Sequence, residues 1–326
     1  MSDTFSSPDG IDLIIPFRNE REHLPALLKS LDHLEYQPED ECFLVDDLSE
    51  DGGAEFIHQT DFIHLLQPVG DEAGSKKKAL TAGIGAGKNP LILTTDADCI
   101  FSAGWLETMR NLFDQDVDML IGPVMVHRGK GFPGMLQHVE GLVLLFVTRS
   151  AVRMGRPLLC SGANLLFSRE GFVAAGGYAS HLHRSSGDDV LLMRSFLERN
   201  RNAVRFADAP QACIYTQPVK TWRSWFDQRL RWISKAGHVG GLALYFSLFL
   251  IMELFLPLIL LYPIWLISLL IVLTEYLILY KTISRYNASV SFWDWLIFRF
   301  LYPMYCLLLS IMALFRRPVW KDRKVI

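Results

Sequence analysis

The sequence predicts an α/β chain in consecutive parts: a doubly wound mixed sheet over residues 1–217, an interfacial amphipathic helix over 218–239, and a membrane region over 240–326. Three observations predict it. Short β-type runs alternate with helical stretches through the front of the chain, charge is divided unequally between front and back, and composition turns apolar near Gly240.

Asp12 to Pro16 (DLIIP) has the short apolar character of a strand, and Leu24, Leu27, Leu28, Leu31 and Leu34 then recur at helical spacing. Cys42–Val45, Phe62–Leu66 and Leu91–Thr95 are further strands, separated by helical stretches around 53–59 and 77–87. Such alternation implies crossover connections, hence a mainly parallel sheet. Ligands of such sheets sit outside the carboxyl ends of the strands. Half of the 326 residues are apolar and only 21% are charged, which excludes a disordered chain.

Residues 1–217 carry 19 basic and 30 acidic side chains, whereas 218–326 carry 13 and 5. A basic back half that is also the most apolar part points to an anionic membrane surface, and the acidic front argues against nucleic acid as a partner. From Gly240 to Tyr280, 41 residues include only two charges, Glu253 and Glu275. One crossing needs about 20 residues, so a membrane hairpin over about 241–280 is expected, turning near Tyr262-Pro263. A third apolar stretch, 292–315, is interrupted by Asp294, Arg299 and Pro303 and followed by Arg316, Arg317, Lys321, Arg323 and Lys324. Length allows it to cross; the preference for basic residues on the cytoplasmic side favours an interfacial or re-entrant position. Cys42, Cys99, Cys160, Cys213 and Cys306 form no CxxC pair, which argues for a reducing compartment and against a disulfide scaffold or zinc site. Met1 to Ser7 has no basic or apolar signal character, so no secretory signal is expected.

The acids cluster where strands end. Asp96 and Asp98 flank one small residue after LILTT, and such hard oxygen ligands suit Mg²⁺ or Mn²⁺ bridging a diphosphate. A DxD alone is as well explained by a solvated turn. Asp46-Asp47 closes the neighbouring strand and suits hydrogen bonds from a base or ribose, or a plain helix cap. Ser75 to Lys78 opens a helix whose Lys76 can steady phosphates or the carboxylates themselves. Gly187-Asp188-Asp189 opens another: its acids stabilise the helix dipole, or one of them takes a proton from a sugar hydroxyl. Ser161-Gly162-Ala163-Asn164 offers close backbone approach before a strand. His181 and His183 lack a third ligand and read as exposed loop residues. Trp222, Trp225, Phe226 and Trp232 interleave with Lys220, Arg223, Arg229, Arg231 and Lys235, the composition of an interfacial helix. Gln228 and Arg231 share one face of it.

Pro16-Phe17-Arg18-Asn19-Glu20, Asp46-Asp47, Asp96-Ala97-Asp98, Gly187-Asp188-Asp189 and Gln228-Arg229-Leu230-Arg231-Trp232 occur in this order. The series resembles that of membrane-bound family 2 glycosyltransferases, with their GT-A catalytic domain and D, DxD, [TE]D, QxxRW motifs, such as cellulose, chitin and hyaluronan synthases and ceramide glucosyltransferases. The resemblance spans about residues 11–320. It implies an inverting transfer from a nucleoside-diphosphate sugar, a UDP-sugar above all, to a lipid, lipid-linked or glycan acceptor. It gives Asp47 a uracil contact, places Pro16, Arg18 and Glu20 along the nucleotide pocket, and puts Asp96 and Asp98 at ribose, diphosphate and metal. Asp189 becomes the base, Gln228 and Arg231 hold the diphosphate, and Trp232 lies at the acceptor end. The implied location is the cell membrane, multi-pass, with the catalytic domain cytoplasmic. Here Gly-Asp-Asp stands in place of Thr-Glu-Asp, which leaves Asp188 as the other candidate base. Few predicted crossings weigh against the alternative of a processive polysaccharide synthase. A nucleotidyltransferase, the other alternative, does not account for the aromatic, basic helix.

Overall fold

A computed structural model describes residues 10–68, 70, 74–114, 116–178, 187–235, 264–315, 319–320 and 323–324. The chain divides into two units, one of residues 1–125 with 147–217, the other of 126–146 with 218–326. The stretch 126–146, inside the predicted front part, thus groups with the back of the chain.

The first unit holds strands β1 (Ile11–Phe17), β2 (Glu41–Asp46), β3 (Ile63–Leu66), β4 (Leu91–Thr94), β5 (Cys99–Ile100) and β6 (Met119–Ile121). After β7 (Val124–Val126) come β8 (Leu165–Ser168), β9 (Val204–Phe206) and β10 (Ile214–Thr216). The main sheet has the order β3-β2-β1-β4-β8-β6-β9, and β5, β10 and β7 form a small one. β1 pairs in parallel with β2 and β4, and β2 with β3, whereas β8 runs antiparallel to both β4 and β6. The sheet is therefore mixed.

Alternation along the strands builds two cores. Leu13, Ile15, Leu44 and Leu93 face one cluster with Leu24, Leu27 and Trp105; Ile14, Phe43, Val45 and Ile92 face the other with Leu80, Ile84 and Phe196. Each fully buried Leu or Ile contributes about 1.5–3 kcal/mol, and burial on both faces explains why the strand runs are almost unbroken apolar sequence. Helix α1 (Leu24–Asp32) covers the first face, its leucine stripe buried at Leu24, Leu27 and Leu31 and its first turn carrying a proline. Helix α2 (Lys76–Ala86) covers the second. A Cβ on Gly83 would lie 2.7 Å from Ile14 Cγ2 and 3.0 Å from Val45 Cγ2, so glycine lets α2 lie against the sheet. Helices α3 (Trp105–Leu112), α4 (Gly131–Arg153), α5 (Arg169–Ala174) and α6 (Asp188–Arg199) follow. The helix expected around 53–59 is one 3₁₀ turn, Gly53–Phe56, ended by extended backbone at Ile57.

In the second unit lie α7 (Trp222–Lys235), α8 (Ile264–Arg285) and α9 (Phe292–Phe315). The expected hairpin falls largely on 241–263, outside the described residues. Phe292–Leu309 is long and apolar enough to cross a membrane and only 28% buried; Gly131–Arg153 passes the same test but is 61% buried. Exposed apolar side chains mark both α8 (Leu270, Leu277) and α9 (Trp293, Met304).

Candidate functional site

The strand order reverses between β1 and β4, and a crevice opens at such switch points. The β1–β4 ladder ends at Ile14↔Thr94, after which Thr95 N–H donates to Ile14 O at 3.2 Å, whereas β1 stays paired with β2 as far as Phe17↔Asp46. Pro16, buried near the end of β1, therefore withholds a donor on a side where the ladder has already stopped. The segments after β1, β2 and β4, which carry Arg18 and Glu20, Asp46 and Asp47, and Asp96 and Asp98, all emerge at this end.

Helix α2 brings cations to it. Lys76, Lys77 and Lys78 occupy the first turn with no acid among them, against the helix dipole, so their placement needs partners elsewhere. The Lys76 ammonium is in contact with Asp96 Oδ1. Buried Lys77 pairs with Asp188 Oδ1 at 2.9 Å. Burial would lower the Lys76 ammonium, but Asp96, with Asp189 and Asp188 behind it, holds it above the usual lysine range. Lys76, Lys77, Asp96, Asp188 and Asp189, five charged groups from three separate segments, thus share one field.

Gly187, with φ 90°, adopts the left-handed conformation that starts α6, putting both acids in its first turn. The two acids then differ. Asp188 faces Lys77; burial pushes its carboxyl up and Lys77 opposes this. Asp189 accepts from Gly162 N–H at 3.1 Å through Oδ2 and from Val190 N–H at 2.8 Å through Oδ1. Thr94 Oγ1 donates to Gly162 O at 2.8 Å, which ties this loop, and with it Asp189, to the end of β4. Neighbouring Asn164 is fully buried and braces the loop through Pro123 O and Ala212 O, each at 2.9 Å.

Asp98 accepts from Thr216 Oγ1 at 3.0 Å, a contact that β10 provides by pairing Thr216 with Cys99. Its carboxyl is pushed up to about 6 by burial, then by the charges of Asp96 and Glu20, with Thr216 and His23 opposing. His23 is held up in turn by its 2.6 Å contact with Glu20. Among the described residues no group of three or more His, Cys, Asp or Glu is arranged to hold a metal ion. Two crowded carboxylates nevertheless fit Mg²⁺ or Mn²⁺, because such ions are commonly bound by one or two carboxylates with substrate phosphates completing the shell.

Asp47 is buried and accepts from Gly74 N–H at 2.5 Å. Arg18 donates to Asp47 O at 2.8 Å and Leu48 O at 3.0 Å, bracing the β2 exit. Asn19 N–H donates to Ser49 Oγ at 3.0 Å and Glu50 N–H to Asn19 Oδ1 at 2.9 Å, zipping the two loops together. Leu48 sits at φ 61°, an uncommon conformation for leucine, with its side chain exposed.

Gln228, Arg231 and Trp232 lie on α7 in the second unit; the Arg231 side chain is outside the described residues, as are His181 and His183. Within this unit the organiser is Arg229, which the motif pattern leaves as an unspecified position. It is buried, donates through Nε to Glu140 Oε2 at 3.0 Å and also to Gln228 Oε1, and lies 4.3 Å over the Trp232 ring. Trp225 Nε1 also reaches Glu140, at 3.4 Å. Thr216, His23, Leu48 and Glu140 were passed over by sequence reasoning. Of these, only His23 carries a local signal, three residues after Glu20.

A curated relative, the undecaprenyl-phosphate 4-deoxy-4-formamido-L-arabinose transferase of Proteus mirabilis, is 33% identical over 102 residues. That match covers 29% of this chain and 31% of the relative, so the chain spans less than a third of that protein's length. Among solved structures, the mannosyltransferase PcManGT from Pyrobaculum calidifontis, in complex with GDP-Man and Mn²⁺, aligns with a TM-score of 0.54 at 16% identity. It covers 95% of this chain and 88% of that one, which shows a shared fold. The family described as Glycosyl transferase family 2 matches residues 12–174, half of the chain, from the second residue of β1 through α5. With the acids of that span gathered at the switch point of its sheet, the chain belongs to glycosyl transferase family 2.

Proposed function

We propose that the protein transfers a sugar, with inversion, from a nucleoside-diphosphate sugar to a hydroxyl of a lipid, lipid-linked or glycan acceptor at the membrane. The observation that carries this is the convergence of Lys76, Asp96, Asp98 and Asp189 at the carboxyl end of β4. A cation beside carboxylates is what a departing diphosphate requires, and a tethered carboxylate is what an attacking hydroxyl requires.

Asp189, steadied by the Gly162 and Val190 amides, takes the acceptor proton as its oxygen bonds to the anomeric carbon and the bond to the diphosphate breaks. Lys76 meets the charge that develops on the leaving group. Asp96 and Asp98 would hold Mg²⁺ or Mn²⁺, which supplies Lewis-acid neutralisation of the diphosphate when bound. Asp47 and the Arg18-braced loop are the proposed seat of the base, with uridine as its nucleoside, and Glu20 borders it through His23. Gln228 and Arg231 are proposed contacts of the diphosphate and Trp232 of the acceptor.

The solved neighbour's donor and Mn²⁺ support a nucleotide sugar with a divalent ion, and the relative's name supports a polyprenyl-type acceptor. Exposed apolar side chains along α8 and α9 support action at a bilayer, with a multi-pass anchor and the catalytic unit on the cytoplasmic side, where nucleotide sugars are found. A panel of nucleotide sugars offered to the detergent-purified full chain, read as nucleoside-diphosphate release with a polyprenol, a polyprenyl-linked sugar or a glycan as acceptor, tests the proposal. Release from one UDP-sugar is expected; no release from any donor refutes it.

A further inference from the structure

At the far end of α6 the first unit has a depression of about 630 Å³ lined by Arg156, Arg194, Arg199 and Arg201, with one acid, Glu198. Arg199 follows Asp189 by ten residues, about 15 Å along a helix, so this is a separate place from the candidate active site.

Arginines normally appear on such a surface with carboxylate partners, and this unit supplies them elsewhere: Arg149 pairs with Asp208 at 2.8 Å, and Arg205 with Asp114 at 2.7 Å. None of the four depression arginines makes an ion pair with a described carboxylate within 4.0 Å. Helix geometry allows Arg194 to meet Glu198 one turn on, yet that pair is not made. Among the described residues, the side-chain hydrogen bond of the set is Arg199 Nη1 donating to Gly171 O at 3.4 Å. Arg199 complements the negative end of α6. That explains one arginine. It does not explain Arg194 in mid-helix, Arg201 beyond the helix, or Arg156, which arrives from the segment after α4.

The surrounding sequence makes the cluster more unusual, because residues 1–217 carry 30 acids against 19 basic residues. Four guanidiniums against one carboxylate leave a local excess of positive charge that an anion relieves. Planar guanidinium forks match tetrahedral oxyanions in pairs, as a lysine cluster would not. We propose that this depression binds a phosphate-bearing anion. Met154 and Leu158 flank Arg156 and are 72% and 46% exposed. They give a phosphate carried on a lipid apolar company that a free phosphate would not use, so the lipid form binds more tightly.

The test uses the full chain in neutral detergent with EDTA present. It is titrated with short-chain phosphatidylglycerol, with short-chain phosphatidylcholine, and with inorganic pyrophosphate, and binding is read as a saturable shift in thermal unfolding midpoint. Phosphatidylglycerol is expected to saturate and phosphatidylcholine to give no shift. Arg156→Gln/Arg194→Gln/Arg201→Gln, all at exposed positions, is expected to unfold at an unchanged midpoint without anion and to bind at least about tenfold more weakly. Arg194→Lys keeps the charge and loses the fork, and falls between. Pyrophosphate binding as tight as the lipid, lost in the same variant, assigns the site to soluble phosphates. The proposal is overturned if neither anion shifts the wild type, or if the triple variant binds both as tightly.

Discussion

The two ends of the main sheet both carry buried acids, and they treat them in opposite ways. At the amino end, Asp40 is fully matched: its carboxylate pairs with Arg110 at 2.5 Å and accepts from Ile11 N–H at 2.8 Å, where β1 begins. Asp12 beside it takes Arg169 at 2.5 Å and the Asn89 side chain at 2.8 Å, which oppose the upward push of burial on its carboxyl. At the carboxyl end, Asp96, Asp98, Asp188 and Asp189 share two lysines, and Asp98 is left with a carboxyl pushed up to about 6. Desolvated acids with more like charge than counter-charge cost stability, which suits a place that a cationic ligand completes. The amino end holds the sheet together, and the carboxyl end holds unspent charge.

The sharpest break of this contrast is at Asp98. EDTA, or Asp98→Asn, is expected to reduce turnover to background, while the Asp98→Asn thermal midpoint stays level or rises because crowding is relieved. Glu35→Gln, an exposed change, serves as the control for both. Full turnover in EDTA would remove the metal from the proposal. Next is Asp189→Asn, expected to bind nucleotide normally and lose roughly 10²- to 10⁴-fold in kcat, the usual cost of a general base. Asp188→Asn is expected to fail differently, in stability, because the buried Lys77 ammonium loses the carboxylate charge it pairs with. A larger kcat loss in Asp188→Asn with folding intact exchanges the two roles.

At the amino end the prediction inverts. Arg110→Gln is expected to cost about 3–5 kcal/mol, the range for breaking a buried pair, with kcat per folded molecule unchanged. Denaturant unfolding beside an activity assay separates the two quantities. A kcat loss without a stability loss would show that the ends of the sheet are not divided as described.

The same division explains what was legible in the sequence. Strands β1, β2, β3 and β4 follow from local apolar runs, and the acids at their ends follow from position along those runs, so both could be placed from neighbours alone. The contact of Lys76 with Asp96 was also legible, since a cation opening a helix beside acidic strand ends can steady the carboxylates. The partnering of the acids was not. Thr216 reaches Asp98 only through the β5–β10 pairing, across 118 residues. Asp188 and Asp189 look alike as helix-starting acids until Lys77 and Gly162 arrive from other segments. Arg229 occupies an unspecified place in its motif, and its meaning depends on Glu140 in a different helix.

The smallest expected effect is at Leu48, where the carboxyl end stores strain rather than charge. A non-glycine residue at φ 61° costs on the order of 1 kcal/mol, and the exposed side chain recovers little of it by packing. The conformation is held by Arg18 on the Leu48 carbonyl and by the Asn19 to Ser49 contact. Leu48→Gly is expected to relieve the left-handed strain while loosening the unfolded chain, so the net gain in stability is at most about 1 kcal/mol. If the strained loop is kept to shape the nucleotide seat beside Asp47, the same variant should raise KM for the donor severalfold with kcat little changed. A stability gain with KM unmoved would make the Leu48 turn a property of the β2 exit alone and take it out of the site.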